Sequence, residues 1–195
     1  MQTNSVTVGW SEEALPLGTH VCFYYADEPG LRMTLDFLRV GLDAPREFGV
    51  IFADESRQQE LTGWLQEGYE GSVSERIERG KLALIGGAPT LDGLINKIGS
   101  RLQQAVADGH TVIRFLGFIA WGEPGWPDEV TLLEFESRVN QVVTAFPAVI
   151  VCTYGVPRLE GSQLIYGGLQ SHPVVVLNQK LVTANPFYID PEVEG

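Results

Sequence analysis

The residues best suited to chemistry are a histidine and a cysteine two positions apart, His20 and Cys22, in the apolar run His-Val-Cys-Phe-Tyr-Tyr. Side chains two positions apart on a β-strand point to the same face, so an imidazole and a thiol would stand side by side. With His172 as a third donor, they form a set of the type that binds transition metals. A histidine hydrogen-bonded in the core beside a packed cysteine explains the same pattern. We therefore predict no bound metal, and keep these three residues as the alternative.

The turn after this run is acidic, although it lies where nucleotide-binding proteins carry a phosphate loop. It reads Tyr-Ala-Asp-Glu-Pro-Gly and contains no lysine, serine or threonine, so a P-loop is absent. Asp27 and Glu28 would occupy the positive N-terminal end of the next helix, where a phosphate would otherwise bind. We expect Asp27 to cap that helix and expect no phosphate transfer.

Motifs of other enzyme classes are also missing from the sequence. It has no Gly-x-Ser-x-Gly nucleophile elbow, no Cys-x-x-Cys pair and no His-Glu-x-x-His motif. We therefore expect a protein that is not an enzyme, with no catalytic residue and no cofactor.

The elements that position these residues alternate between strand and helix. Apolar, β-branched runs predict strands, and apolar residues at helical spacing predict the helices between them. Strands are predicted at 20–25, 47–53, 81–86, 111–121 and 148–154, and helices at 27–42, 54–68, 90–109, 128–146 and 160–171. A hairpin around Asn178 and Gln179 closes the chain. The pattern predicts an α/β fold in one domain over 1–195: a mainly parallel sheet with helices on both faces and a C-terminal β-hairpin.

The charge of the chain limits its partners. Thirteen lysines and arginines stand against 25 aspartates and glutamates, for a formal net charge of −12. Phosphate backbones and anionic lipid surfaces would be repelled, so we expect no direct contact with nucleic acid or membrane. The sequence has no apolar run of the roughly 20 residues that span a bilayer. It also lacks a signal peptide, and both cysteines lie in apolar runs, so we expect a cytoplasmic protein.

Five segments spread along the chain have the character of one known family. They read GTHVCFYYADEPGL, LLEFESRVNQ, VIVCTYG, SHPVVV and NPFYI. The most specific are the opening Gly-x-His-x-Cys-x-x-Tyr pattern and the Asn-Pro-Phe-Tyr ending at 185–188. Together they resemble the MEDS domain, the sensory domain of methanogen and methylotroph regulators of the dichloromethane-regulator type, from Leu17 to Pro191.

The resemblance implies both a fold and a role. The family is similar in fold to the RecA and KaiC ATPases but lacks their Walker motifs, which agrees with the acidic turn. Its proposed role is to sense small organic ligands, such as hydrocarbon derivatives, for transcription regulation or signal transduction. Because we find no DNA-binding or kinase module in this sequence, we expect the signal to pass to a separate regulatory protein. We also expect a homo-oligomer, as for many RecA-like domains.

A ligand in such a sheet is expected beyond the carboxyl ends of the strands. Aromatic residues emerge there, which suits a small, weakly polar molecule, although aromatics at such positions also serve as plain core packing. The resemblance places the acid of the family at Glu136 rather than Glu134. The predicted ligand-binding residues are His20, Tyr24, Tyr25, Trp121, Glu136, Tyr154, Arg158 and His172.

Two alternatives to a ligand sensor are left open by the sequence. One is a protein-docking module that keeps a degenerate RecA-like fold only as a surface. The other is a cryptic nucleotide-binding, ATPase-like protein whose phosphate site has no recognisable motif.

Overall fold

A seven-stranded sheet forms the centre of the protein, and the structure, a computed structural model, describes residues 5–190. The strands are β1 (Ser5–Thr7), β2 (Ala14–Pro16), β3 (Thr19–Tyr25), β4 (Glu47–Phe52), β5 (Leu82–Ile85), β6 (Val112–Gly117), β7 (Ala148–Gly155), β8 (Val174–Leu177) and β9 (Lys180–Val182). The α-helices are α1 (Glu28–Met33), α2 (Asp36–Leu42), α3 (Glu55–Glu67), α4 (Val73–Glu78), α5 (Leu91–Ala107) and α6 (Leu132–Thr144). Two 3₁₀ turns (Glu129–Thr131, Val156–Arg158) and a π-helical segment (Gln163–Leu169) complete the fold.

The sheet has the predicted mainly parallel topology. Its order is β5-β4-β6-β7-β3-β8-β9, and every neighbouring pair is parallel except the terminal β8–β9 pair. That pair is the predicted hairpin, and Asn178 and Gln179 at its tip both have positive φ. The strands β1 and β2 form a separate antiparallel pair. The α/β fold class with a C-terminal hairpin is thus confirmed.

Side-chain caps begin three of the helices that follow strands. The carboxylate of Asp27 accepts a hydrogen bond from the Gly30 backbone N–H, as predicted, and Asp54 and Thr90 cap α3 and α5 in the same way. Each cap satisfies an N–H group that has no partner inside the helix. At the acidic turn, the start of α1 is therefore already occupied by the protein's own carboxylate.

Helices cover both faces of the sheet and create two separate apolar layers. Val21 and Phe23 of β3 pack in one layer with α1, α2 and α3. Cys22, between them, points into the other layer, which α5 and α6 cover. This alternation follows from the two-residue period of a strand. Among residues 5–190, no helix is long and apolar enough to cross a membrane.

Several element boundaries differ from those predicted. The helix expected over 27–42 is divided into α1 and α2, because Thr34 between them turns its buried hydroxyl to the Leu31 carbonyl. The strand expected over 111–121 ends at Gly117, and 118–121 leave the sheet. Neither α4 nor the β1–β2 pair was predicted, since both are too short for a periodic signal. Residues 163–169 adopt a π-helix instead of the expected short helix.

One buried ion pair ties the amino-terminal pair of strands to the sheet. Arg114 of β6, whose side chain is 3% exposed, pairs with Glu47 of β4. Its Nη1 also donates to the carbonyl oxygens of Thr7 at 2.6 Å and Phe37 at 3.1 Å. Arg114 thus connects β1, α2 and the sheet, and its guanidinium lies over the Phe37 ring.

Candidate functional site

A cavity of about 530 Å³ opens at the carboxyl edge of the sheet. The ends of β3, β4, β6 and β7 form its base, which is where ligands bind in open α/β sheets. The loop after β6 and the 3₁₀ turn after β7 form its walls. The lining residues are Tyr25, Asp54, Arg57, 117–121, Glu123, Pro124, Trp126, Glu129, Glu136, 152–155, Arg158 and Leu159.

The loop after β6 gives the cavity its aromatic wall. Trp121 packs edge-on against Phe135 of α6, with ring centroids 5.2 Å apart, and Trp126 packs on Phe52 at 5.3 Å. Gly122 allows the sharp turn between the two tryptophans through its positive φ of 74°. Both indoles are thereby anchored to the core on one side and face the cavity on the other.

The structure brings five of the eight predicted ligand-binding residues to this cavity and places three elsewhere. Tyr25, Trp121, Glu136, Tyr154 and Arg158 line it. The other three, His20, Tyr24 and His172, lie behind Glu136 and Tyr154 in the layer covered by α6. Both histidines are fully buried, and the hydroxyl of Tyr24 donates to the Leu164 carbonyl.

Behind the cavity, four buried side chains converge from four different elements. They are His20 of β3, Glu136 of α6, Cys152 of β7 and His172, which precedes β8. The Nε2 atom of His20 lies 3.2 Å from the Cys152 sulfur and 3.4 Å from Glu136 Oε2, and the Nε2 atom of His172 lies 3.5 Å from the same oxygen. One potential ligand atom from each residue lies within 4.8 Å of all the others. We refer to these four residues as the His₂-Cys-Glu cluster.

The two imidazoles of the cluster are oriented by hydrogen bonds at their outer nitrogens. The amide nitrogen of Asn140 donates to the Ser171 carbonyl at 2.7 Å, which leaves its oxygen to accept from Nδ1 of His20 at 3.1 Å. The Nδ1 atom of His172 donates to the Gly168 carbonyl at 2.8 Å. Both Nδ1 atoms therefore carry the proton in the neutral rings, so both Nε2 lone pairs point into the cluster.

Burial changes the protonation of the cluster. It raises the pKa of Glu136 to about 8, against the opposing effect of the hydrogen bond from Tyr154. It also lowers the pKa of His172 to about 3 and the pKa of His20 well below its usual value, with the second imidazole adding to the effect at His20. The pKa of the Cys152 thiol is raised by burial. Without a cation, all four groups are thus neutral near pH 7.

Comparison with known proteins shows the family to which this chain belongs. Residues 19–173 match the sequence profile of MEDS, the methanogen/methylotroph, DcmR sensory domain. The chain belongs to the MEDS family. No curated protein matches the sequence at a significant level. The resemblance noted from the sequence segments is therefore confirmed, and the role of the family is sensory.

A solved structure shows the fold of this MEDS domain independently. The KaiC-like protein PH0186 from the hyperthermophilic archaeon Pyrococcus horikoshii OT3 aligns with a TM-score of 0.57 and 18% sequence identity. The alignment covers 82% of this chain and 72% of that protein. At this identity the likeness shows the fold alone, and the predicted RecA/KaiC-like architecture is confirmed.

The π-helical segment of the MEDS domain supplies the carbonyl groups that hold the site together. The last carbonyls of a helix have no partner inside it, and here carbonyls of this segment accept hydrogen bonds from side chains. The carbonyls of Leu164, Gly167, Gly168 and Leu169 accept from Tyr24, Tyr154, His172 and Asn185 respectively. Gly167 and Gly168 have no space for a side chain, because Leu132 and Tyr24 pack directly against them.

The Asn-Pro-Phe-Tyr ending that carried part of the family resemblance has a structural role in the MEDS domain. The side-chain nitrogen of Asn185, which is 8% exposed, donates to the His172 carbonyl at 2.8 Å and to the Leu169 carbonyl. Asn185 therefore fixes the chain on both sides of the segment that presents His172.

Sequence reasoning missed Cys152 as a member of the cluster and selected Cys22. The two cysteines are partners in the β3–β7 register and point into the same layer. His20 is opposite Ile150, so Cys152 is its diagonal neighbour across the strands, within reach of a long side chain. Spacing along one strand identified the correct face. The strand order, which the sequence does not show directly, decides which thiol meets His20.

Proposed function

We propose that this MEDS domain is a non-catalytic sensor that binds a small organic molecule in the cavity and passes the signal to a separate regulatory protein. The single observation that carries the proposal is the construction of the cavity. Two anchored indoles form its wall, and the buried Glu136–Tyr154 pair lies at its inner end. The volume of the cavity lies within the range of roughly 300–1,000 Å³ that is typical of sites for small molecules.

The charges of the cavity argue against a nucleotide as its ligand. Three carboxylates, Asp54, Glu123 and Glu129, and two guanidiniums, Arg57 and Arg158, line it. The start of α1, which would be the phosphate site of a nucleotide-binding relative, is capped by Asp27. Phosphates would therefore meet a carboxylate where they need N–H donors.

The inner end of the cavity connects ligand binding to the core. The Tyr154 hydroxyl contacts Glu136 Oε1 and the Gly167 carbonyl, so it joins α6 to the π-helical segment. A ligand that displaces either group, or accepts the proton of one of them, changes the hydrogen bonds of both elements. Ile165 and Tyr166 on that segment are about half exposed, at 48% and 51%, where a partner protein can contact them.

A binding experiment with matched tryptophan variants tests the proposal. We expect small hydroxylated or halogenated hydrocarbons to bind in isothermal titration or ligand-observed NMR, and Mg-ATP to show no binding. Trp121→Ala should weaken binding by about tenfold or more, since a buried aromatic contact is lost.

The control for this experiment is Trp64→Ala. Trp64 is also partly buried, but it packs under Arg32 on α1, away from the cavity. Equal weakening by both variants would contradict the assigned cavity. Binding of Mg-ATP followed by hydrolysis would overturn the sensor proposal.

A further inference from the structure

We propose that the His₂-Cys-Glu cluster binds one divalent first-row transition-metal ion, for which Zn²⁺ has the best-matching chemistry. The ligand atoms are Nε2 of His20, Nε2 of His172, the sulfur of Cys152 and Oε2 of Glu136. This inference does not depend on the proposed ligand of the cavity, since it rests on the arrangement of the four side chains alone.

The first argument is that four atoms able to bind a metal face one another in the core, and that two of them have no hydrogen-bond partner. Both Nε2 lone pairs point inward, because Asn140 and the Gly168 carbonyl hold the two Nδ1 protons. Glu136 Oε2 and His172 Nε2 are fully buried, and neither has a hydrogen-bond partner. In the metal-free cluster the Cys152 thiol and the Glu136 carboxyl each carry one proton, and a divalent cation that binds there replaces these two protons and is held by both Nε2 atoms.

The second argument is the spacing of the ligand atoms. Zinc–ligand bonds of about 2.0–2.3 Å at tetrahedral angles place neighbouring ligand atoms about 3.3–3.6 Å apart. Three pairs of ligand atoms in the cluster lie 3.2, 3.4 and 3.5 Å apart, and the remaining pairs lie within 4.8 Å. An ion at the centre therefore requires only small shifts of side chains that already face one another.

The third argument comes from the residues behind the ligands. In metal sites, a ligating histidine donates its other N–H to a carbonyl or carboxylate group, which fixes the ring. Asn140 does this for His20, and the Gly168 carbonyl does it for His172. Asn140 is in turn fixed by Ser171, and Asn185 holds the carbonyl of His172 itself.

Charge and donor type select the class of ion. A thiolate and a carboxylate contribute two negative charges, so a divalent ion gives a neutral loaded cluster that suits burial. Imidazole and thiolate donors favour zinc and similar transition ions, whereas magnesium and calcium need mainly oxygen ligands. Glu136 and Cys152 also line the cavity, which gives the ion a path from solvent.

Cobalt(II) is a suitable spectroscopic probe for this site. The full chain is stripped with a chelator and titrated with Co²⁺. We expect saturation at one equivalent, with a thiolate-to-cobalt charge-transfer band in the near ultraviolet and the intense visible bands of a four-coordinate ion. Added Zn²⁺ should abolish both. Folded protein that gives no saturable charge-transfer band would overturn the proposal, and this result needs no variant.

Two pairs of variants then locate the ion. Cys152→Ser should eliminate the charge-transfer band, while Cys22→Ser, its buried register partner, should keep it. His172→Ala should weaken Co²⁺ binding, and His110→Ala, which changes a histidine stacked on Phe48 outside the cluster, should not. A band that survives Cys152→Ser or is lost in Cys22→Ser places the ion elsewhere and contradicts this assignment. If Cys152→Ser does not fold, the His172 and His110 pair decides the assignment in the same way.

Discussion

The two layers of the sheet each bury an ionisable side chain, and the surroundings of that side chain differ between the layers. In the layer under α2, Arg114 has a carboxylate partner in Glu47 and two carbonyl partners. In the layer under α6, Glu136 Oε2 lies 3.4 Å from Nε2 of His20 and 3.5 Å from Nε2 of His172, and burial keeps this carboxyl group neutral near pH 7.

The comparison separates a structural ion pair from a binding site. A buried charge whose hydrogen bonds are complete contributes to a unique fold and has no capacity left for a ligand. A buried cluster of neutral groups whose two acidic protons can be replaced by a cation has capacity to bind. The layer under α2 therefore contains a structural ion pair, and the layer under α6 contains side chains that can bind a ligand.

The largest loss of stability is expected from a substitution of Arg114. Arg114→Met removes the partner of Glu47 and leaves the Thr7 and Phe37 carbonyls without a donor, so it should lower the free energy of unfolding by about 3 kcal/mol or more. Arg138→Met, which breaks a more exposed pair with Asp92, should cost under about 1 kcal/mol. Urea unfolding measures the free energy of unfolding of both variants. Equal losses of stability would show that the buried pair of Arg114 contributes no more than an exposed ion pair.

The pH dependence of stability is expected to depend on the ionisable groups in the layer under α6. In metal-free protein, the raised pKa of Glu136 means that the folded state holds a proton that the unfolded state releases. Unfolding free energy therefore falls as pH rises from about 4.5 to about 8. The lowered pKa values of His20 and His172 act oppositely, so stability is lost as pH falls below about 6.5. The sum predicts maximum stability near pH 6.5.

A variant of Glu136 sharpens this prediction. The thiols and tyrosines that face the carboxyl group, Cys22, Cys152, Tyr24 and Tyr154, all have raised pKa values and stay protonated in this range. Glu136→Gln should therefore remove a decline of about 2 kcal/mol between pH 6.5 and pH 8. Glu134→Gln, an exposed change on the same helix, should keep it. Urea midpoints with a chelator present provide the test, and a decline that persists in Glu136→Gln would refute the assignment.

The smallest effect is expected at Tyr154. Tyr154→Phe keeps the ring but removes the hydroxyl that contacts Glu136 and Gly167, at a cost of about 1 kcal/mol. Because that hydrogen bond lowers the pKa of Glu136, its loss should raise that pKa further and move the alkaline decline to higher pH. Tyr166→Phe, at a half-exposed ring, serves as the control. An unchanged pH profile in Tyr154→Phe would show that the hydroxyl does not act on the carboxyl group.

The sequence predicted the fold more completely than the site. The reason is that secondary structure depends on residues close together in the sequence, whereas the site depends on residues far apart. Strand and helix patterns are local, and the Asp27 cap lies three residues from the N–H that it satisfies. The cluster depends on β7 lying beside β3, 132 positions apart for His20 and Cys152. Spacing within β3 therefore identified His20 but chose Cys22. The π-helical segment also escaped prediction, because the side chains that donate to its carbonyls are spread along the chain from Tyr24 to Asn185.

The glycine pair of the π-helical segment has a consequence for how such chains evolve. A Cβ atom at Gly167 or Gly168 would lie too close to the side chain of Leu132 or Tyr24, so a substitution at either position requires that neighbouring side chain to move. The cluster itself is spread from His20 to His172, where single residues are hard to recognise in a divergent sequence. We expect descendants that keep the tyrosines and the cluster to keep Gly-Gly four residues before the second histidine. The Gly-Gly pair is thus a shorter sequence marker of the buried site than the four cluster residues, which are spread along the chain.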